Sequence, residues 1–191
     1  MPMPDGEHKR LLLEALDVEA EGQRLLLDGD DERGRERMSA AAALYRRSWE
    51  QAPPESYGRL IGMLKAAIIA GDASVEAAYA RAELPDPPPS PPAAYALALA
   101  LLAGGDDVAA AAATSVMRGA SDAFDRAAAG IVAIARGDED GCVRAVHAIT
   151  EDFEQRGEHL TGVEIADTAL MLQRLAAARG IDAAIESALL P

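Results

Sequence analysis

Apolar and polar positions alternate along this chain with the spacing of amphipathic α-helices, and Gly, Pro and Asp separate one apolar stretch from the next. In the first stretch, one helical stripe carries apolar side chains at Leu12, Leu13, Leu16, Ala20 and Leu26. The same spacing predicts nine helices, over residues 7–27, 35–51, 55–70, 73–83, 93–103, 107–117, 121–136, 139–156 and 161–179. An all-α protein is therefore expected.

A proline-rich segment interrupts this helical pattern at residues 85–92, where six of eight positions are proline. Proline has no amide hydrogen and disfavours helical geometry in the residue before it, so this segment is predicted to be an extended and fairly stiff connector. It would divide the chain into an N-terminal helical part, 1–84, and a C-terminal part built of helical hairpins, 93–191. Packing of both parts as one continuous domain stays open.

Gly-Asp pairs recur at predicted helix ends, at Gly71-Asp72, Gly105-Asp106 and Gly137-Asp138. Their spacing is close to the ~34 residues of a tetratricopeptide (TPR) hairpin. The small residues of that repeat would fall on Gly130 and Ala110, while its signature aromatic residues are absent. The predicted architecture is a short right-handed array of stacked antiparallel hairpins, resembling TPR geometry, with about nine helices.

The predicted helices imply specific capping residues and specific buried side chains. Ser121 is predicted to cap the helix that follows it, and Thr161 stands three residues before Glu164, the spacing of a capping box. The side chains expected to be buried on the inner helix faces are Ile131, Ile134, Cys142, Leu170 and Leu175.

Composition supports the helical prediction and bears on the cellular compartment of the protein. Alanine, the best helix former, supplies more than a fifth of the 191 residues, and only 4% are aromatic. Cys142 is the one cysteine, which excludes an intramolecular disulfide and fits a reducing compartment. The first 22 residues lack a signal-peptide pattern, and the apolar run 93–103 is shorter than the ~20 residues of a membrane span. A cytoplasmic protein without a membrane-spanning segment is expected.

The charge balance bears on the class of partner. The chain carries a net charge of −14, which disfavours nucleic acid and anionic lipid because phosphate attracts clustered Lys and Arg. A basic protein partner would be attracted. Solubility alone also accounts for such a charge.

The sequence offers little catalytic chemistry. No histidine has a paired metal-binding spacing, although His147 and Glu151 would share one helix face. A metal site could be drawn from His159 and the acids at 152–158, but a solvated charged helix end is the favoured interpretation. No catalytic residue, metal or cofactor is assigned. An enzyme would need a polar pocket with three converging His or carboxylate groups, and a pocket of only Ala and Leu would dismiss that hypothesis.

The end of the chain, residues 165–191, carries a long amphipathic segment, an Arg-Gly pair and a short apolar tail. It resembles the C-terminus of the immunity protein 49 family of bacterial polymorphic toxin systems through Arg179, Gly180, Glu186, Ser187, Leu190 and Pro191. The family's aromatic residue is replaced here by Leu189. The resemblance implies a mostly helical, cytoplasmic protein that binds and blocks a toxin domain.

We therefore expect a protein-binding helical scaffold, most directly an immunity protein that neutralises a cognate, basic toxin domain. A TPR-like adaptor or regulator is the alternative, and a helical enzyme is less favoured. The candidate partner contacts are acidic residues near the predicted helix 139–156: Asp138, Glu139, Asp140, Glu151, Asp152, Glu154 and Glu158. The tail is expected to fold back over the last helix and cap the array rather than contact the partner.

Overall fold

A computed structural model describes residues 6–191 of the chain; residues 1–5, which begin the stretch tested for a signal peptide, lie outside it. Over the described residues it forms nine α-helices, one short 3-10 helix and no strand. The α-helices are α1 (Glu7–Leu27), α2 (Asp31–Gln51), α3 (Gly58–Ala70), α4 (Ser74–Glu83), α5 (Pro91–Ala103), α6 (Asp107–Ala113), α7 (Asp122–Arg136), α8 (Glu139–Glu154) and α9 (Asp167–Ala177). The all-α prediction is confirmed.

Gly-Asp turns end several of these helices, as their recurrence in the sequence predicts. Gly71, Gly105 and Gly137 adopt left-handed backbone with φ between 66° and 106°, a conformation that glycine reaches without steric cost. The aspartates Asp106 and Asp138 then cap the next helix, each accepting a hydrogen bond from an amide of its first turn. Ser121 caps α7 in the same way. One dipeptide thus ends one helix and starts the following one.

The inner face of α1 differs from the predicted stripe. Leu13 is exposed and Leu12 and Leu16 are only partly buried, whereas Leu11, Ala15 and Glu19 are buried. Ala20 and Leu26 are buried as predicted. In the first half of the helix the true face is rotated by about one residue from the predicted one, so that it includes a carboxylate. The reason is tertiary: α1 packs along the whole of α2, and close contact is made through small residues such as Gly22 and Gly34.

The proline-rich connector is shorter than predicted. Ser90 caps α5, and Pro91 and Pro92 form its first turn, so the prediction of an extended backbone through residue 92 is wrong at its end. Proline fits the first helical turn because the amide hydrogens there have no intrahelical partner in any case. Residues 84–90 remain a non-helical link between α4 and α5.

Helix α5 lies at the centre of the molecule. Its residues 93–102 are all buried, because α3, α4, α6 and α7 pack around it. A helix that is apolar on every side is typical of such a position. The buried core therefore runs across both sides of the proline-rich link, and the predicted division at residues 85–92 is bridged by helix packing.

The last helix and the tail close the structure. Helix α9 packs on α7 and α8 and also reaches back to α3. An array in which each hairpin meets only its neighbours would lack that last contact, so the right-handed, TPR-like order stays a prediction. The residues Ile131, Ile134, Cys142, Leu170 and Leu175 are all buried, as expected.

Several helix limits were predicted wrongly: α2 begins at Asp31 rather than at residue 35, and α3 begins at Gly58 rather than at residue 55. Helix α6 ends at Ala113 and continues as the 3-10 helix Thr114–Val116. Residues 155–166 form an irregular loop where the capping box at Thr161 was expected to begin a helix. Gly162 is left-handed (φ 71°), and the Thr161 hydroxyl donates to Gln23 of α1 rather than capping. A tertiary hydrogen bond therefore outcompetes the local cap.

Candidate functional site

A group of buried polar side chains lies between α1 and α2. Glu19 and Gln23 are one turn apart on the inner face of α1, and both are at least 97% buried. The Tyr45 hydroxyl of α2 donates to Glu19 at 2.5 Å, and the Gln23 amide donates to the other Glu19 oxygen at 3.2 Å. Each oxygen of this carboxylate thus has a partner, as burial of a polar group requires.

A buried ion pair joins α3 to the start of α9. The Lys65 ammonium contacts Asp167 at 2.7 Å and donates to the Thr168 hydroxyl at 3.1 Å. These partners are separated by 102 residues in sequence, and the Lys65 and Asp167 side chains are only 15% and 12% exposed. The pair connects the two sides of the proline-rich link.

For both Glu19 and Lys65, burial and neighbouring charges shift the pKa in opposite directions. Desolvation raises the pKa of Glu19 above its ordinary value, although the Tyr45 hydrogen bond and nearby Lys65 oppose this. For Lys65, desolvation alone would lower the pKa, but the Asp167 charge, with Tyr95 and Glu19, raises it overall. The neighbouring Asp167 carboxylate therefore favours the ammonium form of Lys65.

The loop 155–166 covers this group and leaves a cavity beneath it, here called the polar cavity. It encloses about 140 Å³. Its polar lining comes from α1, α3, α9 and the loop: Gln23, Lys65, Arg156, His159, Thr161, Asp167 and Thr168. The buried Nδ1 atom of His159 has no hydrogen-bond partner among the described residues.

A second cavity adjoins the first, since Phe153, Arg156 and Thr168 line both. This aromatic cavity encloses about 110 Å³ and is otherwise lined mainly by side chains of α5, α7 and α8, including Tyr95, Phe124, Arg126, Ile149 and Asp152. Neither cavity was predicted from the sequence.

The polar cavity bears on the enzyme hypothesis. Asp167 and His159 line it, while Glu19 lies behind Gln23 and does not. The wall is therefore not limited to Ala and Leu, and three His or carboxylate groups do not line it together. Across residues 6–191, no His, Cys, Asp and Glu side chains form a group of three or more that could hold a metal ion.

The predicted partner contacts fall into two groups at opposite ends of α8. Asp138, Glu139 and Asp140 are exposed at its N-terminal end, and the Asp138 side chain accepts from the Gly141 amide as a cap. Glu151, Glu154 and Glu158 are exposed at or just beyond its C-terminal end. About 20 Å of helix separates the groups, at 1.5 Å per residue.

Asp152 differs from the other predicted contacts. It is part-buried and accepts from Arg126 at 2.6 Å and from Arg156 at 2.5 Å. An acid held by two arginines has little free charge to offer a partner. The structure therefore places Asp152 in an internal network rather than on the acidic surface.

The tail meets the C-terminal end of α8. Residues 181–191 fold back along α9, where the Ala166 amide donates to Leu189 and the Gln173 amide donates to Ala183. The Ser187 hydroxyl donates to Glu154 at 3.1 Å. The predicted fold-back is observed, and it brings exposed Glu186 next to the acids of α8.

Arg179 and Gly180, which carry part of the family resemblance, have structural roles. Arg179 forms an ion pair with Asp107 and donates to the carbonyl oxygens of Leu102 and Leu175. Gly180 is left-handed (φ 72°), which lets the chain reverse into the tail. Arg179 thus holds the end of α9 against the turn between α5 and α6.

The sequence contained signals for the buried polar group that helical periodicity alone did not reveal. Lys65 is one of two lysines in a chain with 18 basic residues, and it stands within the apolar stretch of α3. Glu19 and Gln23 are four residues apart and continue the face of Leu11 and Ala15. A charged residue inside an apolar helix is rarely buried without a partner, but its partner could not be named from sequence.

Known proteins offer no guide to this site. No protein-family model, curated protein sequence or solved structure matches the chain. Within residues 6–191, none of the helices combines the length and apolarity needed to cross a bilayer.

Proposed function

We propose that this protein is a cytoplasmic, protein-binding helical scaffold, and specifically an immunity protein that neutralises a basic toxin domain without catalysis. The observation that carries the proposal is the acidic end of α8, a surface formed by Glu151, Glu154 and Glu158 and joined by Glu186 of the tail, a segment expected from the sequence only to cap the array. These residues are exposed, and the Ser187–Glu154 hydrogen bond joins the tail to the helix there.

Charge and exposed apolar area support binding at this surface. Leu160, which follows Glu158 in the loop, is 80% exposed. An exposed large apolar side chain close in sequence to Glu158 suits an interface, because apolar contact supplies affinity while charge steers the partner and sets its orientation. The net charge of −14 favours a basic partner further.

The acidic residues at the N-terminal end of α8 have only a secondary place in the proposed binding surface. Asp138, Glu139 and Asp140 lie in or before the first helical turn, where carboxylates also stabilise the positive end of the helix dipole. Stabilising the helix accounts for these residues without a partner. The acidic end of α8 has no such alternative, because acids at a helix C-terminus oppose the dipole.

A TPR-like adaptor acting on proteins of the same cell is the competing proposal. It would use the same helical surfaces, so the two proposals differ in the partner. A toxin gene directly beside this gene favours immunity, and a regulatory gene neighbourhood favours the adaptor.

Co-expression with the neighbouring toxin domain tests the proposal. The wild-type chain should restore growth and co-purify with the toxin. The triple variant Glu151→Lys, Glu154→Lys, Glu158→Lys should lose both effects. A matched control, Asp17→Lys, Glu32→Lys, Glu36→Lys, changes the net charge equally at exposed positions of α1 and α2 and should still protect.

Folding of both triple variants is checked by circular dichroism. Because Glu154→Lys also removes the acceptor of Ser187, the double variant Glu151→Lys, Glu158→Lys separates partner binding from loss of the tail contact. Full protection by the folded triple variant would reject this surface. Absence of both rescue and complex with the wild-type chain would reject the immunity function.

A further inference from the structure

The aromatic cavity combines an apolar interior with positive charge. Tyr95 of α5 and Phe124 of α7 meet edge to face, with ring centroids 6.0 Å apart at 85°. Ile149 and Phe153 of α8 complete the wall, and the Arg156 guanidinium lies over one face of the Phe153 ring, 3.7 Å from its centroid. A flat ring matches such walls, because aromatic groups pack favourably edge to face and offset.

The positive charge comes from two arginines that share one acid. Arg126 contacts one oxygen of Asp152 through Nη2, and Arg156 contacts the other through Nε and Nη2. Both arginines line the cavity, and each guanidinium group has five N–H donors. Two cations with one carboxylate leave an excess of one positive charge, in a chain whose net charge is −14.

One unpartnered polar atom belongs to a residue of the same wall, and another belongs to a residue of the adjoining polar cavity. The Tyr95 hydroxyl is near Thr168 but forms no hydrogen bond of acceptable geometry with the described residues, and Tyr95 is 93% buried. His159 Nδ1, in the adjoining polar cavity, is a second such atom. Buried polar atoms without partners are uncommon in folded proteins and need an explanation, such as a bound molecule.

We propose that the aromatic cavity binds a small aromatic carboxylate, with the ring between Tyr95, Phe124 and Phe153 and the carboxylate on Arg126 and Arg156. A monoanion neutralises the excess charge, and planar guanidinium groups match the geometry of a carboxylate. The volume of about 110 Å³ excludes nucleotides and other large ligands, whose pockets run to ~300–1,000 Å³. This site shares no lining residue with the acidic end of α8, although Asp152, Phe153 and Arg156 lie between its glutamates in the chain, and the proposal does not depend on toxin binding.

Calorimetric titration of the full chain with benzoate, benzamide and inorganic phosphate tests the proposal. Benzoate should bind at least about tenfold more tightly than benzamide, which has the same shape without the charge. Phosphate, which lacks the ring, should bind more weakly than benzoate.

Three variants locate the site. Arg126→Gln should weaken benzoate binding by about tenfold, while Asp152 keeps its contact with Arg156. Ala123→Leu, at the exposed rim of the cavity, should block entry of the ring with all charges unchanged. Arg144→Gln, on the exposed surface of α8, is the control and should change the Kd by less than about twofold.

Absence of benzoate binding at millimolar concentration would overturn the proposal, since the arginines would then be satisfied by Asp152 and water. Equal binding of benzoate and phosphate would also overturn it, by indicating a bare anion site. Binding that Arg126→Gln and Ala123→Leu leave unchanged would place the ligand elsewhere.

Discussion

Single residues show where this protein departs from a simple alanine and leucine core. Lys65 and Asp167 are buried charges whose desolvation is offset by each other and by Thr168, with Tyr95 and Glu19 also favouring the charged Lys65. Breaking such a pair costs more free energy than the intact pair contributes, because the remaining charge stays buried without a partner. Arg10, by contrast, pairs with Glu7 and Glu14 in solvent, where ion pairs contribute little.

Lys65→Met should lower the free energy of unfolding by about 2–4 kcal/mol, slightly below the usual range for fully buried pairs since the groups are partly exposed. Asp167→Asn should also destabilise, and the double variant should lose less than the sum of the two single losses. Urea unfolding of the four proteins measures the coupling. Additive losses would show that the two charges do not interact, and Arg10→Met serves as the control with a much smaller loss.

Glu19 predicts a dependence of stability on pH. Its pKa is raised by burial, so the folded state holds a proton on Glu19 more tightly than the unfolded state does. The stabilisation from that proton is fully present below the ordinary pKa of 4.5 and is lost as pH rises through the higher folded value.

The variant Glu19→Gln removes this titration. Its stability relative to wild type should therefore increase as pH rises above about 4.5. Urea unfolding between pH 4 and pH 8 gives the slope of stability against pH for both proteins. A loss of hydrogen bonding in the variant that is the same at every pH does not change this slope. Parallel stability curves would show that Glu19 titrates normally in the fold.

At the level of elements, helix packing depends on close approach at glycines. A Cβ atom at Gly130 of α7 would lie 2.5 Å from Leu172 of α9, a distance that forces one helix or side chain to move. The atom met is the Cδ1 methyl group of Leu172, which can move only by disturbing a core in which Leu172 is 1% exposed. We expect this loss of packing to exceed what alanine gains over glycine in helix propensity.

Gly130→Ala should therefore destabilise the protein by about 1–2 kcal/mol, although alanine is the better helix former. Gly58→Ala is the matched control. Gly58 begins α3, and a Cβ atom there would have no other side chain or distant backbone atom within 4 Å, so this change should be neutral or stabilising. Thermal unfolding of both variants measures the two changes in stability. A Gly130→Ala variant as stable as the wild type would contradict the close packing of α7 on α9.

At the level of the whole molecule, the proline-rich link does not separate two cores. Helix α5 packs on α3 and α4 before the link and on α6 and α7 after it. The Lys65–Asp167 pair also joins the two parts. We therefore expect the two parts to unfold together.

Trp49, the only tryptophan, reports on the N-terminal part, and hydrogen exchange of the α7 and α8 amides reports on the C-terminal part. Tryptophan fluorescence and hydrogen exchange should give the same urea midpoint. Two separate midpoints would show that residues 1–84 and 93–191 are independent domains.

The sequence by itself determined which segments are helical and where most of them end. Periodic apolar residues, alanine content, Gly-Asp pairs and prolines act within a few residues of chain, so a local pattern is enough to predict α1, α7 or α8. The same local reasoning found Ile131, Ile134, Leu170 and Leu175 in the core. It failed at Thr161, where a cap was available but a distant hydrogen bond formed instead.

Only the tertiary structure decided which polar residues are buried and what they meet. The rotation of α1 that buries Glu19, the approach of Asp167 to Lys65 across 102 residues and the contact of Ser187 with Glu154 all arise from packing between distant segments. Local sequence sets the period of a helix, whereas the partner of a buried charge depends on long-range contacts that the period does not encode. The helices were therefore predictable from the sequence, and both cavities were not.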